Sequence, residues 1–416
     1  MPEADSDAPT KSSPIRTLIA RWQGIPLYAR IVLALVIGIA AGRMLGAEAA
    51  GLALPGQLVL RLLGALAPPL ILAAIVHTFM TTRLGGPLAT RLPRLLLLNT
   101  LVAIGVGLVV ANGIEPGRGA ALTPPAPNDE STEAAGPLAL LLENVPSSLL
   151  GPLGDDGKVI GVIVIAVAFG LALRNERDRP IGTVGNLVEL ALESLIKILH
   201  GVIAFVPLAV FGIVASIVGT VGFAPFEALG IFVLSVLLAL AIQATNYLVR
   251  IRLGSWVRPI DLLRGGRDAL VMAFSTASST ATMPVTYTVL TDRVGLRERS
   301  ASLGALVGAN FNNDGTALYE AMAALFIAQL IGMDLSLQQQ LMVVLTSIVA
   351  SVGAAGIPEA GLVTMTMVFA AVGLPLEYIP VLLTVDWFLD RCRTAINVMG
   401  DMNVSCLLDG HEREIG

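Results

Sequence analysis

Apolar residues in this chain fall into long unbroken runs rather than into the narrow stripes of water-facing helices or the alternation of half-buried strands. Residues 31–41, 95–111, 159–173, 202–218 and 231–249 reach or approach the roughly 20 residues that a helix needs to cross about 30 Å of hydrocarbon. A large soluble core can house one such run, but not a series. Basic residues gather between the runs, at 11–30, 83–94, 174–179, 250–267 and 293–299, whereas 115–143, 219–226 and 332–340 are poor in Arg and Lys. The positive-inside rule places the first group in the cytoplasm and the second outside. Six crossings then fit between residues 31 and 249, with a long acidic, Pro-rich external loop after the third.

That parity breaks further on. The segments 250–267 and 293–299 are both basic, yet an apolar stretch of about 25 residues separates them. Its centre reads Ser275-Thr276-Ala277-Ser278-Ser279-Thr280-Ala281-Thr282-Met283-Pro284, which suits a lipid-facing helix poorly. A re-entrant hairpin that enters and leaves on the cytoplasmic side satisfies both facts, because irregular backbone at membrane depth is tolerated where protein or a cavity surrounds it. The pattern returns in 341–374, centred on Ser351-Val352-Gly353-Ala354-Ala355-Gly356-Ile357-Pro358. Each tip is a run of small residues ending in an apolar residue and Pro, and each precedes an acidic polar motif by about 30 residues: Asn312-Asn313-Asp314-Gly315-Thr316 after the first, Asp390 to Asp401 after the second. One hairpin opens inside and the other outside. Such an inverted repeat of broken hydrophobic segments points to a transporter's binding site.

Composition agrees. The chain has 416 residues, 55% hydrophobic and 14% charged, with a mean hydropathy of +0.79, against about 25% charged in soluble proteins. A net charge of −5 implies no nucleic-acid partner. Cys392 and Cys406 make neither a disulfide framework nor a metal-ligand spacing. The polar first residues lack the apolar core of a signal peptide, so 1–25 reads as a cytoplasmic tail.

The last helix carries Asp386, Asp390, Arg393, Thr394, Asn397 and Asp401, which fall within an arc of roughly 100° at about 100° per residue. Each ionised member costs about 2.5–3.5 kcal/mol at mid-membrane even on the lenient scale, so the stripe must face protein, water or a ligand. Internal salt bridging, with Arg393 neutralising Asp390, is the plain alternative. Arg391 lies off the stripe and reads as a supporting charge. In Gly308-Ala309-Asn310-Phe311-Asn312-Asn313-Asp314-Gly315-Thr316, Gly among Asn and Asp would break a membrane helix and free its carbonyls. Carbonyls with a carboxylate suit a small hard cation, and Asp314 and Asp401 are the charged candidates. A kink held by Asn side chains is the alternative. The hairpin tips can offer free N–H groups to an anion, Arg393 can grip a carboxylate through two hydrogen bonds, and Asp390 suits an ammonium. These describe a zwitterionic solute with an extra carboxylate, a reading the residues by themselves leave open.

At these residues the chain resembles the dicarboxylate/amino acid:cation symporter family, the glutamate transporter homologues. Ser278 to Pro284 looks like its serine-rich first hairpin, and Asn312-Asn313-Asp314-Gly315-Thr316-Ala317-Leu318-Tyr319 resembles its N-M-D-G-T-A-L-Y signature. Gly353-Ala354-Ala355-Gly356-Ile357-Pro358-Glu359-Ala360-Gly361 resembles its second tip, and Asp390 to Asp401 its D-R-x-R-T-x-x-N-V-x-G-D helix. Weaker similarity extends back to about Pro26. The resemblance implies an all-α polytopic membrane protein of eight transmembrane helices plus two re-entrant helical hairpins, a homotrimer, and an elevator-type movement of the substrate domain. Residues 26–250 would hold helices 1–6, and 259–410 a core of hairpin 1 (262–294), helix 7 (298–331), hairpin 2 (336–373) and helix 8 (377–408). Both termini would lie on the cytoplasmic side of the cell membrane.

The resemblance further implies that Arg393 binds the substrate's side-chain carboxylate and Asp390 its amino group. Thr316, Thr394 and Asn397, with Ser278, Ser279, Ile357 and Gly361 at the hairpin tips, would complete the pocket. One cation site would use Asp401 with carbonyls of Gly308, Asn312 and Asn397; a second, carbonyls of Asn310, Ser351, Val352 and Ala354; a third, Asp314 and Asn312 with Asn99 and Thr100. Three departures surround cation positions: Asn313 stands for the signature Met, Leu96 for a Tyr of the deep site, and Asn99 for its Thr. Glu320 stands where proton-carrying members have an acid. The expected activity is symport of an acidic amino acid with Na⁺ or H⁺, no cofactor and no enzymatic chemistry. A C4-dicarboxylate, a neutral or sulphur-containing amino acid, or an anion-conducting channel are the alternatives.

Overall fold

The computed structural model describes residues 25–56, 88–118, 182–353 and 360–411, with scattered positions at 59, 69–70, 72–73, 76–77, 80, 162–163 and 166. Among the described residues every regular element is a helix. Three are long and apolar enough to span a bilayer, within Ala29–Gly56, Arg91–Ile114 and Pro225–Gly254, and a bent pair, Val184–Ile203 with Val206–Thr220, passes the same test. The crossing expected at 159–173 lies outside the described residues except at 162, 163 and 166.

The N-terminal elements are α1 (Leu27–Leu45), α2 (Leu88–Ile114), α3 (Gly182–Ile203), α4 (Val206–Thr220) and α5 (Ala224–Gly254). The apolar run at 202–218, expected to cross unbroken, is divided by a 41° bend between α3 and α4. Pro207 sits in the first turn of α4. Lacking an N–H, it cannot bond the carbonyl four residues back, so the helix that reaches Ile203 cannot continue through it.

The C-terminal elements are broken where small and polar residues interrupt the apolar runs. α6 (Pro259–Thr276) and α7 (Ser279–Val289) form a hairpin and pack on each other. Between them Ala277 takes a left-handed conformation (φ 52°, ψ 31°), and Ser278 caps α7 by accepting from the Ala281 N–H at 3.1 Å. A π-helical turn at Leu290–Val294 ends this arm. The next segment comprises α8 (Glu298–Ser302), a π-helical turn at Leu303–Val307, α9 (Gly308–Phe311) and α10 (Asp314–Leu330). Helical geometry fails at Asn312 (φ −99°, ψ 72°) and Asn313 (φ −102°, ψ 48°). α11 (Leu337–Gly353) and α12 (Ala360–Ala371) are the two arms around the second tip; Ala354 and Ile357, both expected at the site, lie outside the described residues. α13 (Ile379–Asp409) closes the described chain.

α10 is the axis of this half. It is apolar around nearly its whole circumference, the signature of a helix enclosed on all sides, and every residue from Asp314 to Ala328 is buried. It packs on α2, α5, α11, α12 and α13. Its one partly exposed residue, Gln329, ties it to the end of α2 by donating to Ala111 O (3.1 Å) and accepting from Gly117 N–H (3.1 Å).

α1 and α4 meet backbone to backbone through Gly38 and Gly42, a spacing of four that lets helices approach closely in lipid. A Cβ on Gly42 would stand 2.5 Å from Ala215 O, and one on Gly38 2.8 Å from Phe211 O. Gly42→Val should therefore wedge the two helices apart at about 1–3 kcal/mol. The expected outcome is a lower thermal unfolding temperature of the detergent-purified protein, and an unchanged temperature would show that this contact carries no stability.

Candidate solute and cation site

The polar stripe of α13 faces inward along its whole length: Asp386, Asp390, Arg393, Thr394, Asn397 and Asp401 are all buried. Arg393, at 0% exposure, is the largest fully buried side chain among the described residues. Its Nη1 donates to Asp386 Oδ1 and its Nη2 to Asp390 Oδ1, both at 2.8 Å. Its guanidinium carbon lies 4.0 Å from the centre of the Tyr319 ring, a cation–π contact that strengthens in a desolvated setting. Arg393 Nε has no partner. The first turn of α12 reaches the same group, for a Cβ on Gly361 would stand 3.1 Å from Arg393 Nη2.

One and two turns below, α13 is joined to the break before α10. Thr394 Oγ1 donates to Asp390 O (2.8 Å). Asn397 Oδ1 accepts from Gly315 N–H (2.8 Å), while its Nδ2 reaches Asn313 Oδ1 and Thr316 Oγ1, each at 3.3 Å. The bond from Gly315 satisfies a first-turn N–H of α10 that has no partner within the helix. Gly315 permits the approach, since a Cβ there would lie 2.7 Å from Arg393 O.

The residues expected at the first cation position are brought together. Asn312 Nδ2 donates to Asn397 O and to Asp401 Oδ1, both at 3.1 Å, and a Cβ on Gly308 would stand 2.6 Å from Asp401 Oδ1. Asn312 Oδ1 is buried without a partner. At the second position, Ser351 O accepts from Asn313 Nδ2 (2.7 Å) and Val352 lies in the last turn of α11. The Asn310 side chain turns back to Leu306 O (3.3 Å). At the third, Thr100 Oγ1 donates to Asp314 Oδ1 (2.7 Å) and Tyr247 Oη donates to Asp314 Oδ2. Asn99 is nearby in sequence but its Oδ1 accepts from Arg250 Nη1.

The first hairpin is fastened to the same region. Ser279 Oγ donates to Ala309 O at 3.0 Å. Ser278 instead spends its hydroxyl on capping α7. Arg391 Nη1 donates to Phe274 O (3.0 Å) and Ser275 O, the last carbonyls of α6. Glu320 is fully buried one turn beyond Thr316, accepting from Thr364 Oγ1 of α12 through Oε1, with Oε2 unpartnered.

Four participants escaped the sequence reading. Asp386 was visible in the stripe but not as a partner of Arg393. Tyr319 was read only as part of a motif. Tyr247 and Arg250 sit on α5 among Gln243 and Asn246, a polar face at helical spacing inside an apolar span. That spacing was the available signal, but Arg250 was counted with the cytoplasmic charges.

Residues 27–411 match the Sodium:dicarboxylate symporter family. Similar proteins include excitatory amino acid transporter 3 of Mus musculus, 29% identical over 449 residues covering 93% of this chain and 84% of that one. Excitatory amino acid transporter 2 of Homo sapiens is 30% identical over 410 residues, covering 84% and 71%. Excitatory amino acid transporter 4 of Rattus norvegicus is 36% identical over 304 residues, covering 70% and 53%. The described helices, the broken segments around α13 and a match over nearly the whole length lead to one conclusion: this chain belongs to the sodium:dicarboxylate symporter family, integral membrane transporters and not enzymes.

Proposed function

We propose that this chain is a secondary active transporter that moves an acidic amino acid, aspartate or glutamate, together with Na⁺ or H⁺ by alternating access. The observation that carries the reading is the buried Arg393 clamped between Asp386 and Asp390. A guanidinium without solvent must be met by carboxylates, and here two carboxylates of the protein occupy the fork that a substrate carboxylate would take. The three groups together carry one net negative charge. A solute bringing an ammonium for Asp390 and a side-chain carboxylate for Arg393 fits that balance, whereas a dicarboxylate without an ammonium would add two negative charges to a site already in excess. Thr316, Thr394 and Asn397 lie beside this cluster and would bind the α-carboxylate and ammonium, with Ser278, Ser279, Ile357 and Gly361 closing the pocket from the tips.

Cations would supply the rest of the charge balance. Asn397 O and Asp401 Oδ1 converge on one donor, Asn312 Nδ2; swinging that amide away leaves oxygens aimed at a common point, as a hard cation requires. Ser351 with Val352, Ala354 and Asn310 would form a second position. Glu320, buried beside Thr364, is placed to carry a proton. The proposed architecture is eight transmembrane helices with hairpins at 262–294 and 336–373, both termini cytoplasmic in the cell membrane. The core at 259–410 would move as an elevator against scaffold helices within 26–250, in a homotrimer. Leu234, Leu238, Ile242 and Val249 are exposed along α5, an apolar stripe suited to lipid or a neighbouring protomer.

Two outcomes are expected in proteoliposomes. Radiolabelled aspartate should accumulate under an inward Na⁺ or proton gradient and fail to accumulate once both are collapsed; uptake indifferent to both gradients removes the coupling. Arg393→Cys should lower aspartate uptake at least about 100-fold, since unpairing buried charges costs about 3–5 kcal/mol and each 1.4 kcal/mol is tenfold. Undiminished uptake in Arg393→Cys would exclude the carboxylate role.

A further inference from the structure

The third cation position is built differently from the other two. Asp314 is fully buried on α10, and both of its oxygens are engaged, Oδ1 by Thr100 Oγ1 of α2 and Oδ2 by Tyr247 Oη of α5. Each of these partners adjoins a member of a second pair. Asn99 precedes Thr100 on α2, Arg250 follows Tyr247 by one turn on α5, and Arg250 Nη1 donates to Asn99 Oδ1. Two helices thus deliver, side by side, the donors of Asp314 and, one turn from Tyr247, a guanidinium held by Asn99. Gln243 of α5 donates to Asn99 O at 3.4 Å and closes the remaining side. Arg250 is half-buried, its head directed inward to Asn99 although its stem lies at the basic end of α5, where it could have turned to water.

A hard cation needs several oxygens to replace its hydration shell. In this set the Asn99 oxygen accepts from a guanidinium and Leu96 contributes a side chain without oxygen, so two of the α2 positions that would ligate a cation here offer none. A mobile cation would also have to settle beside a fixed guanidinium, which remains charged at any accessible pH. The residues present do not fit a third cation.

We infer that Arg250 is the built-in positive charge of this site, a tethered guanidinium standing where a transported cation would bind, so that the deep position between α2, α5 and α10 takes up no Na⁺. The inference rests on the transporter reading above for its meaning in coupling: the transport cycle carries one cation fewer than three complete sites would allow.

The test is a count of bound Na⁺. Equilibrium binding of ²²Na⁺ to purified, monodisperse protein, with and without saturating aspartate, should give one more Na⁺ per protomer in Arg250→Met than in the unaltered chain. Arg250→Met/Asp314→Asn, which removes both charges, should return the count to the unaltered value, and Arg250→Lys should leave it there. If Arg250→Met is not recovered folded, Arg250→Gln provides the same comparison. Equal counts in the unaltered chain and the folded neutral variant would overturn the inference, as would loss of one Na⁺ in Asp314→Asn alone. The count needs no transport, so a chain that fails to move aspartate still answers the question, and failure of the substrate reading is told apart from failure of this one.

Discussion

An arginine with no exposed surface, 15 or more Å of chain away from either end of its helix, sets the terms for the C-terminal half. Burying such a charge unpaired is prohibitive, so Asp386 and Asp390 must lie on the same face of α13, and that face must be covered. The covering is done by Tyr319 of α10 and the first turn of α12. Removing either carboxylate would leave the guanidinium half answered.

Backbone follows from the same requirement. A continuous helix through Asn312 and Asn313 would satisfy its own amides and carbonyls and leave nothing for α13 to hold. The break frees the Gly315 N–H for Asn397 Oδ1 and turns the side chains of Asn312 and Asn313 outward to Asn397 and Ser351, in a set of bonds between 2.7 and 3.3 Å. Such polar networks in a low-dielectric interior are stable when every member is partnered. Asn312 Oδ1, Arg393 Nε and Glu320 Oε2 are among the buried polar atoms that this network leaves without a partner.

Much of this was legible from residue order. The loss of parity between two basic clusters pointed to the first hairpin, and α6 and α7 meet around Ala277 within that segment. The stripe on α13 was legible because six polar residues at helical spacing can face only one way. What periodicity could not supply was pairing. Asp386, Asp390 and Arg393 are neighbours on the stripe, but which carboxylate meets which nitrogen depends on rotamers and on the ring of Tyr319, 74 positions earlier by number. Tyr247 reaches Asp314 across 67 residues, a contact that exists only once α5 and α10 pack. The bend at Ala204 and Phe205 had a visible cause in Pro207, masked by the apolar run on either side of it.

Arg391 points off the stripe and takes the carbonyls of Phe274 and Ser275 at the end of α6. These belong to the orphan acceptors that any helix end leaves behind, and a guanidinium rather than a backbone N–H receives them. Together with the Ser279 bond to Ala309, this pins the first hairpin at two points, one to α13 and one to α9. Movement of this hairpin about Ala277 would have to surrender a charge-assisted clasp. Hairpin, broken helix and α13 are thereby fastened to one another, so that parting this hairpin from its neighbours would break both attachments at once.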